Sequence, residues 1–377
     1  MRKMRNLRGN VLVLFVLAAF LFLGIYGGTG KAQTMRSTKP TPTPKKSSTP
    51  KGMAPRKTPA AARPTPKVTA KTTPKPTPKA TPKPLDAPQI IVSITSARLR
   101  SGPGTTASTL QQLKIGGIYP VVEKNAEWYK IQAGETSGWI SNTVSQTFTT
   151  AKRGEIYQAI AAKYFKQQSM DFPTASQVYD FLTTAEKQIT DPKQLGDLSF
   201  KRLLALQAAL KKIPMDKQDK EPYRSFIKGK DREIIYSDPS AEYYVISDLF
   251  WNLHEKYKGT AIGEDIAWQA ALNPHPGECE GYLNCYLFLL RGTHGEYLNF
   301  YPAGKYSKKA LADISGYLEP IAVDSREKSV YTGPSDISDR AEFNKLLSEL
   351  RTIISKAPYA EKAKPLEQIK KIAEAYR

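Results

Sequence analysis

From Thr34 to Pro84 the chain is written almost entirely in Thr, Pro, Lys, Ser and Ala, and Lys71 to Pro84 repeats a Thr-Pro-Lys unit. Proline fixes φ and removes a backbone donor, and a segment this polar has almost no apolar surface to bury. No packed core can form here. Folding is therefore confined to the residues beyond this segment, and residues 33–87 read as a disordered Pro/Thr/Lys-rich stalk. Polyproline II rises about 3.1 Å per residue, so some fifty residues reach roughly 150 Å when drawn out. Repulsion among the lysines stiffens the segment further.

The charge makes the same division. Of 56 Lys and Arg residues in the 377-residue chain, 18 lie in residues 1–87, where Asp86 is the single acid. The other 38 face 34 acids over residues 88–377, so the formal +21 splits into +17 for the leading segment and +4 for the rest. A basic globular nucleic-acid-binding domain is disfavoured, because the folded part is nearly neutral. Two cysteines argue against a disulfide-dense scaffold, and with three histidines they leave little for a metal centre. The length suits two or three domains of roughly 100–200 residues.

The first residues set the compartment. A basic start, Met1 to Arg8, precedes the apolar run Val11 to Tyr26, and no charge occurs between Arg8 and Lys31. Residues 1–32 read as a signal peptide or a signal anchor. Gly30-Lys31-Ala32 offers a small-x-small cleavage site between Ala32 and Gln33. A spanning helix needs about 20 apolar residues, and residues 10–29 reach that length if left uncleaved. No cysteine stands directly behind the run, which argues against a lipid-modified lipoprotein. Both alternatives predict export to the periplasm or cell envelope, membrane-anchored if the leader stays. For the stalk this leaves a plain spacer, or attachment to anionic envelope polymers or lipid head groups. Nucleic acid is an unfavoured partner for an exported chain.

At Gln89 the texture changes. Ile90-Ile-Val-Ser-Ile-Thr, Val121-Val-Glu and Trp128-Tyr-Lys-Ile-Gln read as strands, with turns at Gly102-Pro-Gly104, Gly116-Gly117 and Gly134. Some sixty residues of short strands suggest a small β-barrel over 88–148. Four landmarks in this segment resemble bacterial SH3 (SH3b) domains. They are Ala97-Arg-Leu-Arg-Ser-Gly-Pro-Gly104, Leu110 to Val122 with its Lys-x-Gly-Gly, Trp128-Tyr-Lys-Ile131 and Gly138-Trp-Ile140. Ala97 stands where the family usually has Asn. The resemblance implies binding of cell-wall peptide or docking onto an envelope protein. Trp139 is the candidate barrel plug. Trp128, with Tyr129 and Arg100, is the candidate ligand surface.

Beyond Thr150 the spacing becomes helical. Ile156, Ile160 and Tyr164 recur at i, i+4, i+8, and Val178, Phe181, Leu182, Ala185 and Ile189 line one face. Asp191-Pro192 and Asp238-Pro239 read as helix starts. Further helices are expected over 261–272, 281–299, 304–318, 338–356 and 360–376. The expectation for 150–377 is an all-α domain of stacked helical hairpins. Residues 296–311, a helix ending in Tyr-Pro and then Tyr-x-x-x-Ala-Leu, resemble helix junctions of tetratricopeptide-like envelope proteins. That resemblance implies a scaffold for protein partners.

Candidate chemistry in this half is thin. Cys279 and Cys285 cannot share a helix face, since six residues at 100° leave them about 240° apart. In an oxidising compartment a disulfide tying loop to helix is the leading reading. Two free thiols, or zinc on His275, Cys279, Cys285 and His294, remain open, although the spacings are not those of paired zinc ligands. A wall hydrolase is the rival class to a non-catalytic envelope binder. It would use Cys279 with His254 or His294, or a carboxylate pair such as Glu264 and Asp265, or Glu278 and Glu280. Acids at helix starts are also ordinary dipole partners. No catalytic residue, metal or cofactor is assigned.

Overall fold

A computed structural model of the protein describes residues 88–166, 169–273 and 278–376. The leader, the Ala32–Gln33 site, the stalk and His275 lie outside the described residues. Seven short strands open the described chain: β1 (Gln89–Val92), β2 (Arg98–Arg100), β3 (Thr109–Gln112), β4 (Ile118–Asn125), β5 (Trp128–Ala133), β6 (Thr136–Ser141) and β7 (Ser145–Phe148). They form one antiparallel sheet in the order β3-β2-β6-β5-β4-β1-β7. Its concave side closes over Ile90, Val92, Leu99, Leu113, Ile131 and Ile140.

The strand period of two sends Ile91 to the opposite side from Ile90 and Val92. Ile91 is fully buried there, together with Ile115 and Phe148, in a core shared with Tyr157, Ile160 and Phe181. Withdrawing each large apolar side chain from water contributes roughly 1.5–3 kcal/mol. A polar link joins the same surfaces: the Thr95 N–H donates to the Tyr164 hydroxyl at 2.9 Å. The SH3-like sheet is thus packed directly on the first helices after it.

Those helices are α1 (Arg153–Phe165), α2 (Phe172–Glu186), α3 (Pro192–Leu210) and α4 (Tyr223–Ile227), then α5 (Ser247–Tyr257) and α6 (Gly263–Leu272). After them come α7 (Leu283–Leu290), α8 (Glu296–Phe300), α9 (Ser307–Asp324), α10 (Ile337–Ser355) and α11 (Ala363–Ala375). Asp191 caps α3 as its Asp-Pro start predicts, and Asp171 caps α2: they accept the N–H groups of Gln194 and Thr174 at 2.8 and 2.9 Å. The helices enclose two apolar cores. The first runs from the outer sheet face through α1–α3 to Phe250, and the second gathers α6–α11 around Tyr297, Leu311 and Leu350. Among the described residues no helix is long and apolar enough to cross a membrane.

Three expectations change. The region after Thr150 is not all-α, because a hairpin of β8 (Ile234–Ser237) and β9 (Glu242–Val245) interrupts it. Asp238-Pro239 forms that hairpin's turn instead of a helix start. Asp-Pro suits both roles, and the flanking Ile-Ile-Tyr and Tyr-Tyr-Val favour strands. The helix expected over 281–299 starts at Leu283, passes through a π-helical turn at Arg291–Gly295 and ends in α8. Finally, α9 packs chiefly against α11, which is not its neighbour in sequence. This pairing differs from the consecutive hairpin stack that the tetratricopeptide resemblance implies.

Candidate functional site

On the outer face of the sheet, Trp128 pairs in register with Ser141, and Arg100 and Lys130 both pair with Trp139. Directly opposed residues on antiparallel strands share a face, so one surface collects two indoles and two cations. Trp139 is buried on this face, with the Lys130 ammonium 5.9 Å from its ring centre. It does not plug the barrel: Ile140, its neighbour, points into the core instead. Trp128 and Arg100 line a shallow cleft of about 290 Å³ with Arg98, Ile94 and Thr105. The Arg100 guanidinium donates to the Ala107 carbonyl at 2.7 Å, which pins it to the Gly102-Pro-Gly104 loop.

Tyr129 is not brought to this cleft. The strand period turns it to the other side, where it packs half-buried against the barrel core. Two of the three candidate ligand residues are therefore together, and the third is separated by the pleat. An indole beside two guanidinium groups suits a ligand with an apolar or planar part and a negative charge.

Residues 95–146 match the family model of the bacterial SH3 domain. The match begins just after β1 and ends within β7, and the helical region lies outside it. A search of curated proteins finds no match to the chain. The four landmarks fall inside the SH3b segment, with the Lys-x-Gly-Gly element forming the loop between β3 and β4.

That SH3b loop builds a second and larger cleft, of about 680 Å³, against α2. Gly116 adopts φ +79, and a Cβ there would meet the Phe181 ring at 2.3 Å. Glycine thus supplies both the left-handed backbone and the room for the ring. Ile115, Tyr157 and Phe181 form an apolar floor. Lys114 and Asp180 stand on the rim, and neither forms an ion pair with another described residue. Loss of hydration raises the Asp180 carboxyl above its ordinary value, opposed by the positive charges of Lys230 and Lys114. Gln188 accepts the Tyr157 hydroxyl at 2.9 Å through its carbonyl, leaving the amide nitrogen free to donate.

No motif in the sequence points to this cleft. A partial signal lies in Ile90-Ile91-Val92, because three consecutive β-branched residues mark a strand buried on both faces. The residues on the far side, Asp180 and Gln188, carry no pattern at all.

The helical candidates resolve differently. Cys279 and Cys285 form a disulfide with Cα atoms 5.4 Å apart, Cys279 in the loop and Cys285 in α7. Bonded sulfurs are neither free thiols, paired thiolate ligands nor nucleophiles, which removes those three readings. Glu278 and Glu280 are exposed in the same loop. His294 sits in the π-helical turn, edge-on to Trp268 and 3.5 Å from the Asp313 carboxylate. Burial holds its pKa below the ordinary value, while Asp313 opposes the shift.

Glu264 accepts the Tyr297 hydroxyl and the Lys305 N–H, both at 2.6 Å. Asp265 accepts the Tyr306 hydroxyl at 2.6 Å and pairs with the Lys305 ammonium at 2.6 Å. Each carboxylate of this suggested lytic pair is committed to fastening the 301–306 turn onto α6. Burial, then the bond to Glu264, raises the Tyr297 phenol far above its usual value.

Proposed function

We propose that the protein is an exported, envelope-associated binding protein that holds cell-wall peptide or an envelope protein on its SH3b barrel. The leader, residues 1–32, directs export, and residues 33–87 act as the spacer between membrane or wall and the folded part. Trp128 and Arg100 make the contact, and the helical region over 150–377 serves as the scaffold that carries the barrel. The observation that carries this reading is the pairing of Trp128 and Arg100 in one outer-face cleft within the segment that matches the bacterial SH3 domain. The commitment of Glu264 and Asp265 to a structural turn favours binding over wall hydrolysis.

Cosedimentation of the full-length protein with purified peptidoglycan, in detergent if the leader is retained, tests the reading. Wild type is expected in the pellet, with Trp128→Ala lowering affinity about tenfold or more, as removal of a central aromatic anchor does. Unchanged binding by Trp128→Ala and Arg100→Met, or no binding by wild type to wall or envelope extract, refutes it.

A further inference from the structure

We infer that the cleft between the SH3b loop Leu113–Tyr119 and α2 is a second binding site, which takes a short peptide with a free ammonium and a free carboxylate. The inference is independent of the Trp128 cleft: the two share no lining residue.

At about 680 Å³ the junction cleft falls inside the roughly 300–1,000 Å³ range of small-ligand sites, whereas the outer-face cleft falls just short of it. The floor of the cleft is rigid. Phe181 is almost fully buried and packed against the Gly116 backbone, and Tyr157 is fixed by its bond to Gln188 and by edge contact with Phe181 at 5.5 Å. A site whose floor is part of a folding core needs little ordering on binding.

Charge decides the ligand class. Lys114 and Asp180 line one cleft with opposite charges and no ion pair between them, and Lys230, outside the lining, adds positive charge near Asp180 without pairing with it. A ligand carrying a carboxylate for Lys114 and an ammonium for Asp180 satisfies both without leaving either charge unmatched. The Gln188 amide nitrogen and the Gln177 side-chain carbonyl, whose own nitrogen donates to the Pro173 carbonyl, line the same cleft and match a peptide bond's acceptor and donor, and the apolar floor accepts a small side chain. A purely anionic polymer meets Asp180 with the wrong sign, and a purely apolar ligand leaves both charges desolvated.

The test uses the full-length protein and tetra-alanine with free termini, beside its N-acetylated and C-amidated forms, measured by calorimetric titration at low salt. The free peptide is expected to bind, and blocking either terminus to weaken binding roughly three- to fivefold, as for loss of one partly exposed ion pair. Asp180→Asn is expected to erase the effect of N-acetylation alone, and Lys114→Met the effect of C-amidation alone. Trp128→Ala is expected to change none of these affinities. No binding of tetra-alanine at millimolar concentration overturns the proposal, as does binding indifferent to both blocked termini. Binding lost in Trp128→Ala but intact in Asp180→Asn places the peptide in the outer-face cleft, and likewise overturns it while leaving the proposed function standing.

Discussion

The two apolar cores of the helical region are completed in different ways. The first, around Ile160, Phe181 and Leu206, is finished by Ile91, Ile115 and Phe148 from the barrel side. The second, around Tyr297, Leu311 and Leu350, is lined by α6–α11 and the residues joining them, and fastened by a carboxylate-held turn and the Cys279–Cys285 disulfide. The difference separates two kinds of connection. A barrel that shares a core with helices α1–α3 is no loosely tethered module, and any ligand at the junction reports on both. The second core holds no residue of the barrel.

The largest effect should come from cutting the shared core. Phe181→Ala removes a buried ring from the floor of the junction and should cost about 3–5 kcal/mol. Denaturant unfolding, combined with hydrogen exchange on barrel amides, checks the comparison. Barrel and first-core protection should fall together; barrel amides that keep wild-type protection would show that the two fold independently.

A smaller and more local effect is expected in the second core. Glu264→Ala leaves the Tyr297 hydroxyl and the Lys305 N–H without their acceptor. The buried Tyr297 hydroxyl so orphaned costs about 1–3 kcal/mol, whereas the N–H of exposed Lys305 turns to water. Exchange should quicken in α9 and α10 while barrel amides stay unchanged, and an equal loss in the barrel would erase the distinction between the cores.

The smallest effect concerns the seam between the halves. His254 in α5 is buried and shares a 3.0 Å hydrogen bond with the Tyr301 hydroxyl after α8. Burial holds its pKa below 6.5, with Glu255 opposing and Lys258 assisting. The unfolded chain then takes up a proton near pH 6.5 that the native state refuses. Stability should be level above that value and fall as the pH drops below it, toward the carboxylate range. His294, held down in the same way, adds to the slope. His254→Gln should flatten the slope below pH 6.5 without abolishing it, as read from thermal unfolding at a series of pH values. An unaltered slope would assign the whole effect to His294.

Legibility tracks the range of the interaction. The barrel strands, the Asp191 cap and the loop-to-helix disulfide depend on residues close in the chain, and their patterns are readable there. Asp238-Pro239 is ambiguous because one local signal serves two structures, and only pairing of Ile234 with Val245 chooses between them. The large indole of Trp139 suggests a plug. The pleat instead gives the interior to Ile140 and leaves Trp139 covered beside Lys130.

By itself the amino-acid order placed the SH3b segment, through glycine, proline and tryptophan landmarks spaced along a few dozen residues. Tertiary structure alone decided that this barrel shares a core with α1 and α2. It also set Lys114 and Asp180, 66 positions apart in the chain, along one cleft. The reason is physical: turns and strand alternation are written in neighbouring residues, whereas the surfaces that meet across a domain junction are chosen by packing that no short window of sequence contains.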